Sequence, residues 1–238
     1  VNKESENKVV LDDDQKKLLC SFVQGAVLTF QNADQLFHEA DVLARNGAIA
    51  RSYLLHQISM EECGKIEFIL VYATHLLTTG EFNEKKFKKI TTLHANKNKT
   101  NAYYLEVSDD ERKAREKGEL KEAAKIFDEK KENFHQESNR AKNAALYVDY
   151  NDGVFSSPVQ CITPEMLAEI RQNNSKFMQM SEEKVLLLRR IRDDIEFYQY
   201  VFVNIENKFQ EHMDTNPENP FDAMEVVLEE VAKIVKAS

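Results

Sequence analysis

The chain has 238 residues, 42% hydrophobic and 31% charged, which is room for one large domain with a sizeable core. Six glycines and four prolines leave little turn chemistry, so an all-β sandwich or barrel is excluded. Thirty-two basic against 41 acidic residues give a net charge of −9, so generic coating of nucleic acid is excluded and any contact with RNA needs a local patch.

Residues 1–11 open with the polar run VNKESENK and are expected to be flexible. The first helix is predicted from about Asp12 to Asn46, with capping carboxylates at Asp12 to Asp14 and a stop at Gly47. Leu18, Leu19, Phe22, Val23, Ala26, Phe30, Ala33, Phe37, Ala40 and Ala44 recur along it at three- and four-residue steps. A second helix is predicted over 48–79, ending at Gly80. It is apolar on two sides, with Leu54, Ile58, Ile69, Tyr72 and Leu76 on one and Ile49, Tyr53, Met60, Cys63 and Val71 on the other. Such a helix is central, and the short loops beside it predict an antiparallel pair with the first.

A third helical pattern runs over 83–108 through Phe87, Ile90, Leu93, Ala102, Tyr104 and Leu105. Residues 109–134 carry 17 charges in 26 positions and read as a solvated helix or extended excursion outside the core. The stretch AALYVDYNDGVFSSPVQCITPEM holds the chain's turn chemistry and β-prone residues. A long helix opened by Thr163 and Pro164 is predicted to reach about Met213, before TNPENP and a last amphipathic helix over about 222–236. The fold class is all-α, with residues 12–215 as one helical domain and 216–238 as a C-terminal helix packed on it.

Cys20, Cys63 and Cys161, odd in number and widely spaced, form neither a disulfide framework nor a zinc motif and are expected as reduced, buried thiols. No run approaches about 18 apolar residues, so neither a membrane span nor a signal peptide is expected, and the location expected is cytoplasmic. No Gly-rich phosphate loop, nucleophile elbow or His-Glu-x-x-His motif occurs, so no metal and no cofactor is expected.

The informative anomaly lies in the second helix, where Arg51, Glu61, Glu62 and Lys65 fall on the inner face with Leu54, Ile58 and Ile69. Charges buried there cost several kcal/mol, on the order of what only pairing or a wet cleft offsets. One reading is an internal Glu61–Lys65 pair at i,i+4, or a network that only specifies the packing. The other is a polar site within a bundle. On the third helix His94 and Lys97 lie one turn apart on the inner face, within a stretch, 85–99, of six lysines and no acid.

The segments QNADQLFHEADVLARNGAIARSYLLHQISMEECGKI, LHANK and NRAKNAALYVDYNDGVFSSP, in that order, resemble the AbiV family of abortive infection proteins, part of the HEPN superfamily, from about Gly25 to Pro158. The resemblance implies a HEPN-like antiparallel helical bundle, here with a long charged excursion and extra C-terminal helices. It also implies a cytoplasmic bacterial defence protein that blocks phage multiplication and is activated by a phage-encoded protein. Many HEPN proteins are metal-independent ribonucleases that use Arg-x4-6-His motifs across a homodimer; Arg51 and His56 have that spacing here. On a helix the two side chains stand about 140° apart, with His56 turned from the face of Glu61 and Lys65.

The residues themselves suggest a site of Glu61, Glu62, Lys65, His94, Lys97 and Arg140, with Asn32, Arg51, Asn143, Tyr147 and Asp149 binding substrate. His94 would be the general acid or base, and Lys65, Lys97 and Arg140 would stabilise charge on phosphorus. Glu61 or Glu62 would orient a lysine or bind a ribose hydroxyl, and Tyr147 would stack on a base. The expected partners are RNA or the translation machinery and a second copy of the chain, joined through the aromatic late helix (Phe197, Tyr198, Tyr200, Phe202, Phe209). The alternative is a non-catalytic helical protein that sequesters a translation component or a phage protein.

Overall fold

A computed structural model describes residues 9–93, 97, 106–151 and 153–215. Eight helices and one small hairpin are present among them: α1 (Asp13–Arg45), α2 (Ile49–Thr79), α3 (Glu84–Thr92), α4 (Asp109–Glu116), α5 (Leu120–Leu146), β1 (Asp149–Asn151), β2 (Val154–Ser156), α6 (Pro158–Cys161), α7 (Pro164–Asp193) and α8 (Ile195–Thr215). The all-α expectation holds. His94, Tyr104 and the C-terminal helix predicted over 222–236 lie outside the described residues. Among the described residues no helix is long and apolar enough to cross a membrane.

The signals that set α1 and α2 are local. Asp12 Oδ1 accepts from the backbone N–H of Asp14 and Gln15 (2.9 and 2.8 Å), and Gln15 Oε1 accepts from the N–H of Asp12 (2.7 Å), a reciprocal cap. The chain then reverses at Gly47, whose φ of +76° suits a residue without Cβ. Ser52 Oγ donates to Ala40 O (2.8 Å) and Ser59 Oγ to Ala33 O (2.7 Å). Seven residues forward on α2 meet seven residues backward on α1, so the two helices run antiparallel there, as predicted.

Three predicted boundaries differ. The helix predicted over 83–108 ends at Thr92, because Leu93 turns to extended backbone (φ −76°, ψ 118°). The charged excursion is two helices: α4 stops at the left-handed Gly118 (φ +72°), and α5 runs unbroken from Leu120 into the Ala-Ala-Leu stretch. The long helix expected over 163–213 breaks at Asp194, whose Oδ1 accepts from Phe197 N (3.1 Å) and so caps a new helix.

Chain contacts divide the molecule into two units. The described residues within Val1–Val23, Val71–Phe82 and Leu187–Ser238 form the first. Leu19, Phe22, Val23, Ala73, Leu76, Leu77, Leu188, Ile191 and Val201 are buried in it. Gln199 Nε2 donates to Val9 O (2.6 Å) and Leu77 O (2.7 Å), and Phe82 packs edge-on against Phe22 and Tyr72.

The second unit, Gln24–Leu70 and Asn83–Leu186, has its own core of Ala33, Ala50, Tyr53, Met60, Cys63, Ala145, Ile162, Leu167, Ile170 and Phe177. All three cysteines are free thiols, but Cys20 is exposed and Cys161 half-buried, against the expectation that each is buried; Cys20 follows buried Leu19 and so stands about 100° round the helix from it. Cys63 faces Met178 (Sγ to Sδ 3.6 Å), and burial pushes its thiol up to about 12, so it is an inert packed side chain. The excursion is also less solvated than its composition suggests. Ala114 and Ala123 are buried, and so is Glu111, whose carboxylate accepts from Arg115 and from Lys130 Nζ (3.1 Å).

Candidate functional site

The charged residues of α2 lie in the second unit, and the structure sorts them into a centre, a helix cap and a buried histidine. Glu61 is the centre's pivot. It is 1% exposed, and Lys142 Nζ of α5 donates to its Oε1 at 2.9 Å while Lys97 Nζ stands 3.8 Å from Oε2. One residue on, and so about 100° round the helix, Glu62 faces α1. Its Oε1 accepts from Lys65 Nζ (2.6 Å) and its Oε2 from Asn32 Nδ2 (3.2 Å).

Two adjacent carboxylates thus gather three ammonium groups and an amide from four segments. Burial lowers the pKa of Lys97, and Lys65 and Lys142 push the same way, while Glu61 and Glu62 oppose them. The predicted i,i+4 pair of Glu61 with Lys65 is replaced by an i,i+3 pair of Glu62 with Lys65, because Glu61 is turned inward to Lys142.

Of the residues named from the sequence, the structure brings together Asn32, Glu61, Glu62, Lys65 and Lys97. His94 lies outside the described residues. Arg140, Asn143 and Asp149 line a cleft with Tyr53 and Glu169, and Tyr147 is exposed at the end of α5, its N–H bonded to Asn143 O (2.9 Å). Lys142, which sequence reasoning missed, is the α5 cation at Glu61, whereas Arg140, the cation named from that helix, lines the cleft. The signal was present: Ser138, Ala141, Lys142 and Ala145 follow three- and four-residue steps, and Ser138 and Ala145 are buried. Arg140 is two residues from Lys142, and so falls on another side of the helix.

Arg51 and His56 are separated by their surroundings. Arg51 Nη1 donates to Ala145 O (3.1 Å) and Leu146 O (3.0 Å), closing the C-terminal end of α5. His56 is 0% exposed, edge-on to Phe37 (4.9 Å between ring centroids), with its Nδ1 3.2 Å from Asn174 Nδ2 and its Nε2 3.8 Å from Asp41 Oδ1. The Asn174 amide donates to Nδ1, which places the ring proton on Nε2, and that atom has no hydrogen-bond partner among the described residues. Burial, with Arg171, pushes the His56 pKa down to about 4 against the pull of Asp41. Asp41 itself is held below its ordinary value by a two-point hydrogen bond from Arg171 (2.7 and 2.9 Å). His56 is therefore neutral and enclosed, and its contacts are those of a packing residue.

Among the described residues no group of three or more His, Cys, Asp or Glu side chains is arranged to hold a metal ion. What the Glu61–Glu62 centre offers chemically is a set of cations, Lys65, Lys97 and Lys142, held at fixed positions.

Comparison with known proteins places this centre within a recognised sequence pattern. Residues 22–179 match the protein family described as AbiV, HEPN_AbiV. A 114-residue stretch is 38% identical to the uncharacterized protein y4gJ of Sinorhizobium fredii, covering 47% of this chain and 59% of that protein. The chain thus spans little more than half of that relative. No solved structure matches the chain.

Proposed function

The chain belongs to the AbiV family of HEPN proteins, and from that premise we propose that it is a bacterial antiphage effector that stops phage multiplication by acting on RNA or the translation machinery. Its chemistry, in this reading, is metal-independent cleavage of RNA, switched on by a phage product. The observation that carries the reading is the convergence of Lys65, Lys97 and Lys142 on Glu61 and Glu62 inside a helical core. Apolar residues of the same volume would fill that space at lower cost in desolvation, so a charged centre there is better explained by what it does than by stability.

In the reaction His94 serves as general acid or base: the 2′-oxygen of RNA gives its proton to the base and bonds to the adjacent phosphorus, the P–O5′ bond breaks, and the 5′-oxygen leaves with a proton from the acid, giving a 2′,3′-cyclic phosphate. Lys65 and Lys97 stabilise the charge that develops on the phosphoryl oxygens, and Lys142 joins them. Glu61 and Glu62 hold these ammonium groups in place. The second reading, a non-catalytic protein that sequesters a translation component or phage protein, draws on the same geometry: each of the three lysines already has a carboxylate.

Phage plaquing on bacteria that express wild type, Glu62→Ala/Lys65→Ala or His94→Ala, with protein abundance checked by blot, tests the site. Loss of protection at normal abundance is the expected result; protection by both variants would remove the centre from function. Incubation of purified protein with total RNA then separates the two readings. Discrete fragments that persist with a chelator support cleavage, and retention of intact RNA supports sequestration.

A further inference from the structure

A second region of the same unit has the build of a small-molecule site. An open cleft of about 790 Å³ lies among α2, α5, α6, α7 and the hairpin, within the range of drug-sized ligand sites. Tyr53, Met60, Ile162 and Ile170 form its buried apolar floor, and Phe134 adds a second ring. Glu137 of α5, Glu169 of α7 and Asp149 of β1 stand around it against one cation, Arg140.

Glu137 and Glu169, both exposed, have neither ion pair nor hydrogen bond among the described residues. Tyr53 is 92% buried (8% exposed), lines the cleft, and its hydroxyl likewise has no hydrogen-bond partner among the described residues. The hydroxyl oxygen is not fully enclosed, so it opens to the cleft and is within reach of a ligand there. Burial first, then Glu169 and Glu137, push its pKa up to about 12, so it remains a neutral phenol.

We propose that this cleft binds an aliphatic dication of the amine or guanidine class, with its nitrogens on Glu137, Glu169 and the Tyr53 hydroxyl oxygen and its methylenes over Met60, Ile162 and Ile170. An ammonium or guanidinium group supplies several N–H donors to oxygen acceptors that lack them, and the Tyr53 and Phe134 rings add cation–π attraction. Two charges on one stem match carboxylates carried by two different helices. An anionic ligand meets the opposite balance, two unpaired carboxylates against Arg140. The ligand therefore bridges α5 to α7, two helices that also frame the core of this unit. This inference stands apart from the RNA reading, because none of Glu61, Glu62, Lys65 and Lys97 lines the cleft.

Isothermal titration of the full chain with agmatine and with putrescine, using 1,4-butanediol as the uncharged control, tests it. Saturable one-to-one binding of at least one dication is expected, at least about tenfold weaker in Glu137→Gln/Glu169→Gln and weaker in Tyr53→Phe. Glu137 and Glu169 are exposed at the rim, so the double variant keeps the fold, which circular dichroism verifies. No binding of either dication up to about 10 mM, beyond the millimolar affinities of weak ligands, would overturn the proposal. Equal binding by wild type and the double variant would overturn it too, since that is the behaviour of diffuse attraction to a chain of charge −9.

Discussion

Lys142 and Glu61 are 81 positions apart in sequence and joined by a 2.9 Å hydrogen bond, with the carboxylate wholly enclosed. Removing the ammonium leaves Lys97, at 3.8 Å, as a more distant cation beside Glu61. Lys142→Met is expected to lower stability by about 2–3 kcal/mol, since an enclosed charge that loses its partner keeps its desolvation cost. Adding Glu61→Gln should restore part of that loss. Urea unfolding of the two single variants and the double variant measures the coupling; additive effects would mean that the pair does not interact.

His56 makes stability depend on pH. Its folded pKa of about 4 lies below the ordinary 6.5, so the unfolded chain takes up the proton first. The stabilisation is fully present above about pH 6.5 and is lost as pH falls toward 4, by about 3 kcal/mol in all. Chemical denaturation between pH 7 and 4 should show this slope, and His56→Gln should flatten it. A wild-type protein equally stable across the range would contradict a neutral, enclosed imidazole.

Arg51 holds the last carbonyls of α5, so its loss should fray that helix without opening the core. Arg51→Ala is expected to cost about 1 kcal/mol, the net worth of a typical hydrogen bond. Hydrogen exchange should speed up at the end of α5 and stay unchanged at Met60 and Ile66. If Arg51→Ala left exchange at the end of α5 unchanged, the two bonds from Nη1 would not be what holds that end.

The two helix-ending glycines of α1 and α2 should respond differently to a methyl group. Both have positive φ, +76° at Gly47 and +71° at Gly80. A Cβ at Gly47 meets nothing within 4 Å, whereas one at Gly80 comes to 3.1 Å from Val9 Cγ1 and 3.2 Å from Gln15 Nε2. Gly47→Ala is expected to cost about 1 kcal/mol from backbone strain alone. Gly80→Ala should cost more and should lower Tm further in the same thermal scan.

Helix periodicity made α1 and α2 legible to within a residue or so, because caps, stops and apolar steps are all local signals. The grouping of Glu61, Glu62 and Lys65 as anomalous was legible for the same reason: a charge on an apolar stripe can be counted. Which cation answers each carboxylate was not, because Lys142 and Lys97 reach Glu61 from segments whose approach the helical wheel of α2 does not contain. The enclosure of His56 by Asp41, Phe37 and Asn174 was hidden likewise, since Asn174 is 118 positions away. At Asp194 a local signal was present, an Asp that caps, but continuous apolar periodicity on both sides obscured it.

The serines that clip α2 to α1 link residues only 12 and 26 positions apart, whereas the links from α2 to α5 and α7 span 81 to 118. Loop-closure entropy rises with the length of chain enclosed, so the helical hairpin of α1 and α2 is the inexpensive early contact. The carboxylates of Glu61 and Glu62 are then on a surface, hydrated, when that hairpin forms. They lose their water only as the segments carrying Lys97 and Lys142 arrive. The charged centre is therefore a late product of folding, and a chain cut short before Lys142 leaves the ribosome with Glu61 still wet.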